Sequence, residues 1–142
     1  MTDRDDKLVL EIITPERRVL VETVDEVVLP GEEGYFGVRP GHAPLLARLA
    51  PGQIECRGGE RPRLLAVSRG YAEVQRDRVT VLAETCEAAE EIDPERARRA
   101  RDRAEALVQR PLDEDASRDA HWALKRAINR LRTHERGRGM MH

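Results

Sequence analysis

Aromatic side chains are nearly absent from this sequence: one Trp, two Tyr and one Phe in 142 residues. A core built from it has to be aliphatic, made of Leu, Val, Ile and Ala. Lysine is scarce too. Lys7 and Lys125 are the only two among 25 bases, so 23 are arginine. Arginine keeps its charge and pairs bidentately with carboxylates and phosphates. Genome base composition produces the same bias, and the count alone does not separate the two causes. A strong charge of either sign is also missing, since 27 acids leave a net charge of −2. Without a basic excess, a dedicated nucleic-acid binder is excluded, and so is a long acidic disordered tail. Residues 1–7 lack the apolar stretch of a signal peptide. No run approaches the ~18 apolar residues of a membrane span. Cys56 and Cys86 have no CxxC spacing and make neither a zinc site nor a disulfide framework. Together these absences predict a reducing, cytosolic setting.

What is present divides near Glu87. Residues 7–86 read as short strands at 7–13, 18–24, 26–29, 53–57, 63–68, 71–75 and 78–84. They are rich in Val, Ile and Leu, with Gly or Pro between runs, the pattern of a sandwich or barrel. Gly58-Gly59 and Asp77 read as hairpin turns. Residues 93–134 contain no glycine and read as two helices. Asp93 is a good N-cap, Pro94 suits the first helical position, and Glu95 adds charge favourable to the helix dipole. Ala97, Ala100, Ala104, Leu107 and Val108 recur at helical spacing, and Pro111 ends the helix. Asp113 or Asp115 caps the second helix. Its apolar face is Ala116, Ala120, Ala123, Leu124, Ala127, Ile128 and Leu131, with residues 135–142 expected to fray. An alanine seam lets helices approach closely but buries little. At roughly 0.8 kcal/mol per buried methyl-sized group, against about 1–2 kcal/mol per ordered backbone residue, the hairpin needs docking to be firmly held.

The glycine-rich residues 30–42 (PGEEGYFGVRPGH) do not make a phosphate loop. That loop needs GK[ST] running into a helix, and here no lysine follows while Pro40 and Pro44 oppose a helix. Tight turns around a short strand account for this stretch, and a partner-binding edge is compatible with them. His42 reads as a turn residue, and His121, His134 and His142 share no metal-ligand spacing with it. Acidic pairs such as Glu32-Glu33 and Glu90-Glu91 belong to a solvated surface in a chain that is 37% charged. No nucleophile, metal or acid–base set stands out, so an enzyme with its own active site is not expected. Arg126 and Arg130, spaced i,i+4, share a helix face. They suit either a polyphosphate or interhelical ion pairs with acids such as Asp93 and Glu87.

Four ordered motifs carry a family resemblance: LPGEEGYFGVRPGHAPLLARLAPG at 29–52, SRGYAEVQRDRVTVLAE at 68–84, IDPERA at 92–97 and ALKRAINRL at 123–131. With them the chain closely resembles the epsilon subunit of bacterial F-type ATP synthase over about residues 8–131. The resemblance implies an α+β fold, β then α: an N-terminal flattened β-sandwich over residues 1–86, then a linker, an antiparallel two-helix hairpin and a short tail over 87–142. It implies a non-catalytic central-stalk subunit that couples ring rotation to ATP synthesis and inhibits ATP hydrolysis through its helices. Its partners would be the gamma subunit and the c ring, with the alpha/beta catalytic head when the hairpin extends. It would lie peripherally on the cytoplasmic face of the bacterial plasma membrane, without inserting. Glu33, Tyr35 and His42 fall in the ring-facing region. Some members carry a carboxylate where Tyr35 stands, and an apolar or aromatic residue is common where Arg39 stands. No resident cofactor is implied. In some relatives ATP binds the folded hairpin as a regulator, and the matching residues here are Glu87, Asp93, Arg96, Arg126 and Arg130.

Overall fold

A computed structural model describes residues 7–140. Ten strands come first: β1 (Leu8–Ile13), β2 (Arg18–Val24), β3 (Glu26–Gly31), β4 (Gly34–Val38), β5 (Leu45–Leu49), β6 (Gly52–Arg57), β7 (Arg63–Val67), β8 (Gly70–Val74), β9 (Arg78–Ala83) and β10 (Cys86–Ala88). A 3-10 turn at Ala89–Glu91 follows, then α1 (Pro94–Val108) and α2 (Glu114–Met140). The chain forms two units, residues 1–88 and 89–142.

In the first unit the strands run in the order β10-β7-β6-β3-β5-β8-β9-β1-β2, with β4 on β3. Neighbours are antiparallel except β1 and β9, which are parallel. Strand β3 is the corner. It pairs with β6 over Glu26–Val28 and with β5 only at Gly31, opposite Leu49. One strand thus serves both layers of the sandwich. Alternation does the rest: Leu8, Leu10 and Ile12 of β1 point inward beside Val79 and Val81 of β9, with Ala72 and Val74 of β8. These meet Val27, Leu29, Ile54, Leu65 and Val67 in an aliphatic core, as the scarcity of rings requires. Cys56 and Cys86 are both free and buried.

Two strands escape the sequence reading. Residues 45–49 and 86–88 are strands, and β4 realises the short strand expected among the turns of residues 30–42. The division expected at 86/87 falls instead after Ala88, because Cys86, Glu87 and Ala88 pair in register with Val67, Ala66 and Leu65.

The second unit is two helices joined by residues 109–113. Asp93 caps α1 as expected, its Oδ1 accepting from the Glu95 and Arg96 amides at 3.0 and 3.3 Å. Asp113, not Asp115, caps α2, accepting from the Ala116 amide at 2.8 Å. Ala97 and Ala104 of α1 and Ala120 and Ala127 of α2 are buried, two pairs at seven-residue spacing. The expected fraying does not occur over residues 135–140; residues 141 and 142 lie outside the described residues. Helix α2 continues to Met140, with Thr133 and Gly137 buried. Among the described residues, no helix is long and apolar enough to cross a membrane.

Candidate functional site

Strand alternation that fills the core also fixes what points outward. On the outer face of the β5-β8-β9-β1-β2 layer, register aligns Leu46, Glu73, Thr80, Glu11 and Val21 in one row. The next row is Arg48, Tyr71, Leu82 and Ile13. Leu46 is 69% exposed and Leu82 53%, and Tyr71 and Val21 are also open. Isolated exposed apolar residues need no explanation, but Leu46, Tyr71 and Leu82 sit at the polar phase of three adjacent strands and make a candidate interaction face, with Val21 apart on β2. Alongside lies an open groove of about 600 Å³, lined by Ile13, Arg48, Tyr71 and Leu82 with Arg69 and Glu84 at its rim. The Arg48 guanidinium stands 5.9 Å from the centre of the Tyr71 ring, within cation–π range. Arg69 and Glu84 pair at 2.6 Å. This face was missed in the sequence. Its signal was there in VTVLA, where Leu82 sits out of phase with the buried Val79, Val81 and Ala83.

The expected contact residues do not form one cluster. Glu33 lies exposed in the turn between β3 and β4. His42 lies past the far end of β4, a five-residue strand roughly 17 Å long at ~3.4 Å per residue. Its ring Nδ1 is 2.7 Å from the Ala43 carbonyl, and the neighbouring Gly41 amide donates to the Arg76 carbonyl at 2.7 Å. His42 is thus part of a local turn pinned to the β8–β9 connection. Tyr35 is exposed along its ring, yet its hydroxyl accepts from the Gln53 amide at 3.0 Å. Gly52 makes that approach possible: a Cβ there would stand 2.5 Å from Pro30 and 2.7 Å from the Tyr35 oxygen.

Of the five residues expected around a phosphate ligand, four belong to the helical unit. Matching the buried alanines in antiparallel register, 104 with 120 and 97 with 127, puts Arg126 and Arg130 level with the first turn of α1. Asp93 and Arg96 stand in that turn, both exposed, while Arg126 and Arg130 are half-buried. Glu87 precedes the helical unit. It is in β10, opposite Ala66, in the sandwich unit.

A sandwich with an open apolar face and a separate alanine-seamed hairpin defines an accessory protein that works through its surfaces. The family models for "ATP synthase, Delta/Epsilon chain" match in two parts, the beta-sandwich domain at residues 7–89 and the long alpha-helix domain at 90–135. The ATP synthase epsilon chain of Syntrophobacter fumaroxidans is 47% identical over 131 residues, covering 92% of this chain and 98% of that one. That of Moorella thermoacetica is 50% identical over 125 residues, covering 87% and 92%. Among solved structures, a chain of the Euglena gracilis mitochondrial ATP synthase (OSCP/F1/c-ring) superposes with TM-score 0.75 at 26% identity, covering 96% of this chain and 82% of that chain. A chain of the Tetrahymena thermophila mitochondrial ATP synthase central stalk/c-ring structure shares the fold, with TM-score 0.60 at 16% identity. The chain belongs to the ATP synthase delta/epsilon family, as a non-catalytic, epsilon-type subunit.

Proposed function

We propose that this subunit couples rotation of the c ring to ATP synthesis in a proton-translocating F-type ATP synthase, and restrains ATP hydrolysis through its helical unit. The observation that carries the docking half is the open apolar face around Leu46, Tyr71 and Leu82. Burying it on a rotor partner, the gamma subunit, removes apolar surface from water at roughly 25 cal/mol per Å². Glu33 and Tyr35 at the β3–β4 end, and His42 at the other end of β4, then meet the polar loops of the c ring at two separate points. The subunit works at the cytoplasmic face of the bacterial plasma membrane, held there by these partners.

The regulatory half rests on the hairpin. Its seam is alanine, so the energy difference between a folded and an extended form is small enough for partners to tip. When extended, the helical arm reaches the alpha/beta catalytic head. Deleting residues 93–142 in the assembled enzyme is expected to raise ATP hydrolysis. No rise would remove the inhibitory role and leave the stalk role standing.

ATP is the regulatory ligand that the donor set fits. Arg96, Arg126 and Arg130 lie at about the same level of the helix pair when its buried alanines are matched, and guanidinium groups there would hold phosphate oxygens. Asp93 is partly committed, since one carboxylate oxygen caps the helix. Calorimetry of the isolated subunit with millimolar ATP tests the reading. Heat that disappears in an Arg126→Ala/Arg130→Ala variant supports it; no heat, or unchanged heat, rejects it.

A further inference from the structure

The two helices differ greatly in length. At about 1.5 Å per residue, the 27 residues of α2 span about 40 Å and the 15 of α1 about 22 Å. Packed antiparallel after a five-residue connection, the last turns of α2 run past the start of α1. This overhang is polar, with glycine at 137 and 139, and glycine is a poor helix former. It should fray, yet it stays helical to Met140, and Thr133 is fully buried and Gly137 buried.

Over Gly137 the cover is the 3-10 turn ahead of α1. Ala89 is 4% exposed, and the turn is closed by the Ile92 amide donating to the Ala89 carbonyl at 3.3 Å. Helix α2 packs against it so closely that a Cβ added to Gly137 would overlap the Ala89 methyl. Thr133, one turn earlier, satisfies its buried hydroxyl by donating to the Asn129 carbonyl at 2.7 Å. It needs no partner outside the helix. Two residues on, a Cβ at Gly139 would meet nothing within 4 Å. The two glycines therefore differ in one respect: only Gly137 is required by a neighbour. Gly137 also lies beyond residue 135, where the helical family model stops matching.

We propose that Ala89 and Gly137 form a latch that fastens the end of α2 to the turn preceding α1 and sets how readily the helical unit opens. The hold is releasable by construction, because small side chains bury little area. It is also specific, because only glycine fits at 137. The latch rests on the geometry of the helical unit alone. Its consequence in the assembled enzyme rests on the regulatory reading above.

Hydrogen exchange of the full chain, read by mass spectrometry over residues 89–92 and 125–140, tests it. Gly137→Ala and Gly139→Ala both favour helix, so a loss of protection confined to Gly137→Ala reports the latch. Gly137→Ala is expected to speed exchange in both segments on the order of tenfold, whereas Gly139→Ala leaves it unchanged or slower. Moving the methyl across the contact, in the double variant Ala89→Gly/Gly137→Ala, is expected to restore protection. The latch is overturned if Gly137→Ala exchanges no faster than Gly139→Ala, or if the double variant does not recover. Neither result bears on whether deleting residues 93–142 raises hydrolysis, so the two ideas fail separately.

Discussion

Arg63 grips Glu22 through both Nε and Nη2, at 2.8–3.0 Å, across 41 residues of chain. Glu22 is on β2, the last strand of the sheet, held by a ladder to β1 alone. Arg63 is on β7, near the other end of the strand order. Their pairing closes the sandwich where no backbone ladder does. The Glu22 side chain is only 9% exposed and Arg63 20%, so solvent screens the pair weakly. Bidentate bonding to Glu22 raises the Arg63 pKa further.

Removing one partner strands the other. Arg63→Ala leaves a nearly buried carboxylate without its donors and is expected to cost about 1–3 kcal/mol. Arg63→Lys keeps the charge but loses the planar fork, and should recover only part of that loss. Urea unfolding followed by circular dichroism checks both. An Arg63→Ala midpoint equal to that of the parent chain would show the pair contributes nothing.

Cys56 lies in the same neighbourhood. Burial, then the Glu22 charge, pushes its thiol up to about 12. The folded protein should therefore resist thiol reagents at pH 8 until denaturant is added. The sign of the linkage follows. The folded-state value lies above the unfolded one, so the unfolded chain loses its proton first as pH rises. The contribution of Cys56 is fully present below about pH 8.5 and declines from there towards pH 12. Stability measured from pH 8 to 10 should fall less steeply in Cys56→Ala than in the parent.

The apolar outer face gives a separation of folding from docking. Leu82 is 53% exposed and takes no part in the core. Leu82→Arg should leave the unfolding midpoint within about 0.5 kcal/mol of the parent. The same change puts a charge into an apolar contact, and retention of the subunit on a gamma–c-ring complex should drop at least tenfold. Full retention would move the docking surface elsewhere.

Most of the sandwich was legible because its signal is local. Seven strands alternate or run apolar between turn residues, and the cap at Asp93 with Pro94 behind it is a short-range pattern. Where reading failed, the deciding contact was distant. Residues 45–49 (LLARL) are a strand because β8 lies beside them, with Leu46 opposite Glu73. Residues 86–88 are too few to read alone and exist as a strand only against β7. The end of α2 looks frayed from its glycines, and becomes helix through Ala89, nearly fifty residues away. The candidate sites divide in the same way. Arg126 and Arg130 share a face by spacing alone, whereas the ladder that puts Glu87 opposite Ala66 is encoded in no motif.

Asp93 has a structural role and a proposed ligand role, and substitutions can part them. Its Oδ1 accepts from the Glu95 and Arg96 amides, two donors that the start of α1 would otherwise leave unpaired. Asp93→Ala removes the cap and should cost the helical unit about 1 kcal/mol. Asn caps nearly as well as Asp, so Asp93→Asn should hold α1 while abolishing the negative charge. If the carboxylate matters only as a cap, Asp93→Asn keeps both helicity and any ATP heat. If it also accepts from the nucleotide, helicity persists while the heat falls. Circular dichroism and calorimetry on the same two variants read these outcomes. Loss of helicity in Asp93→Asn equal to that in Asp93→Ala would show that charge near the helix dipole, rather than the capping bonds, holds the start of α1.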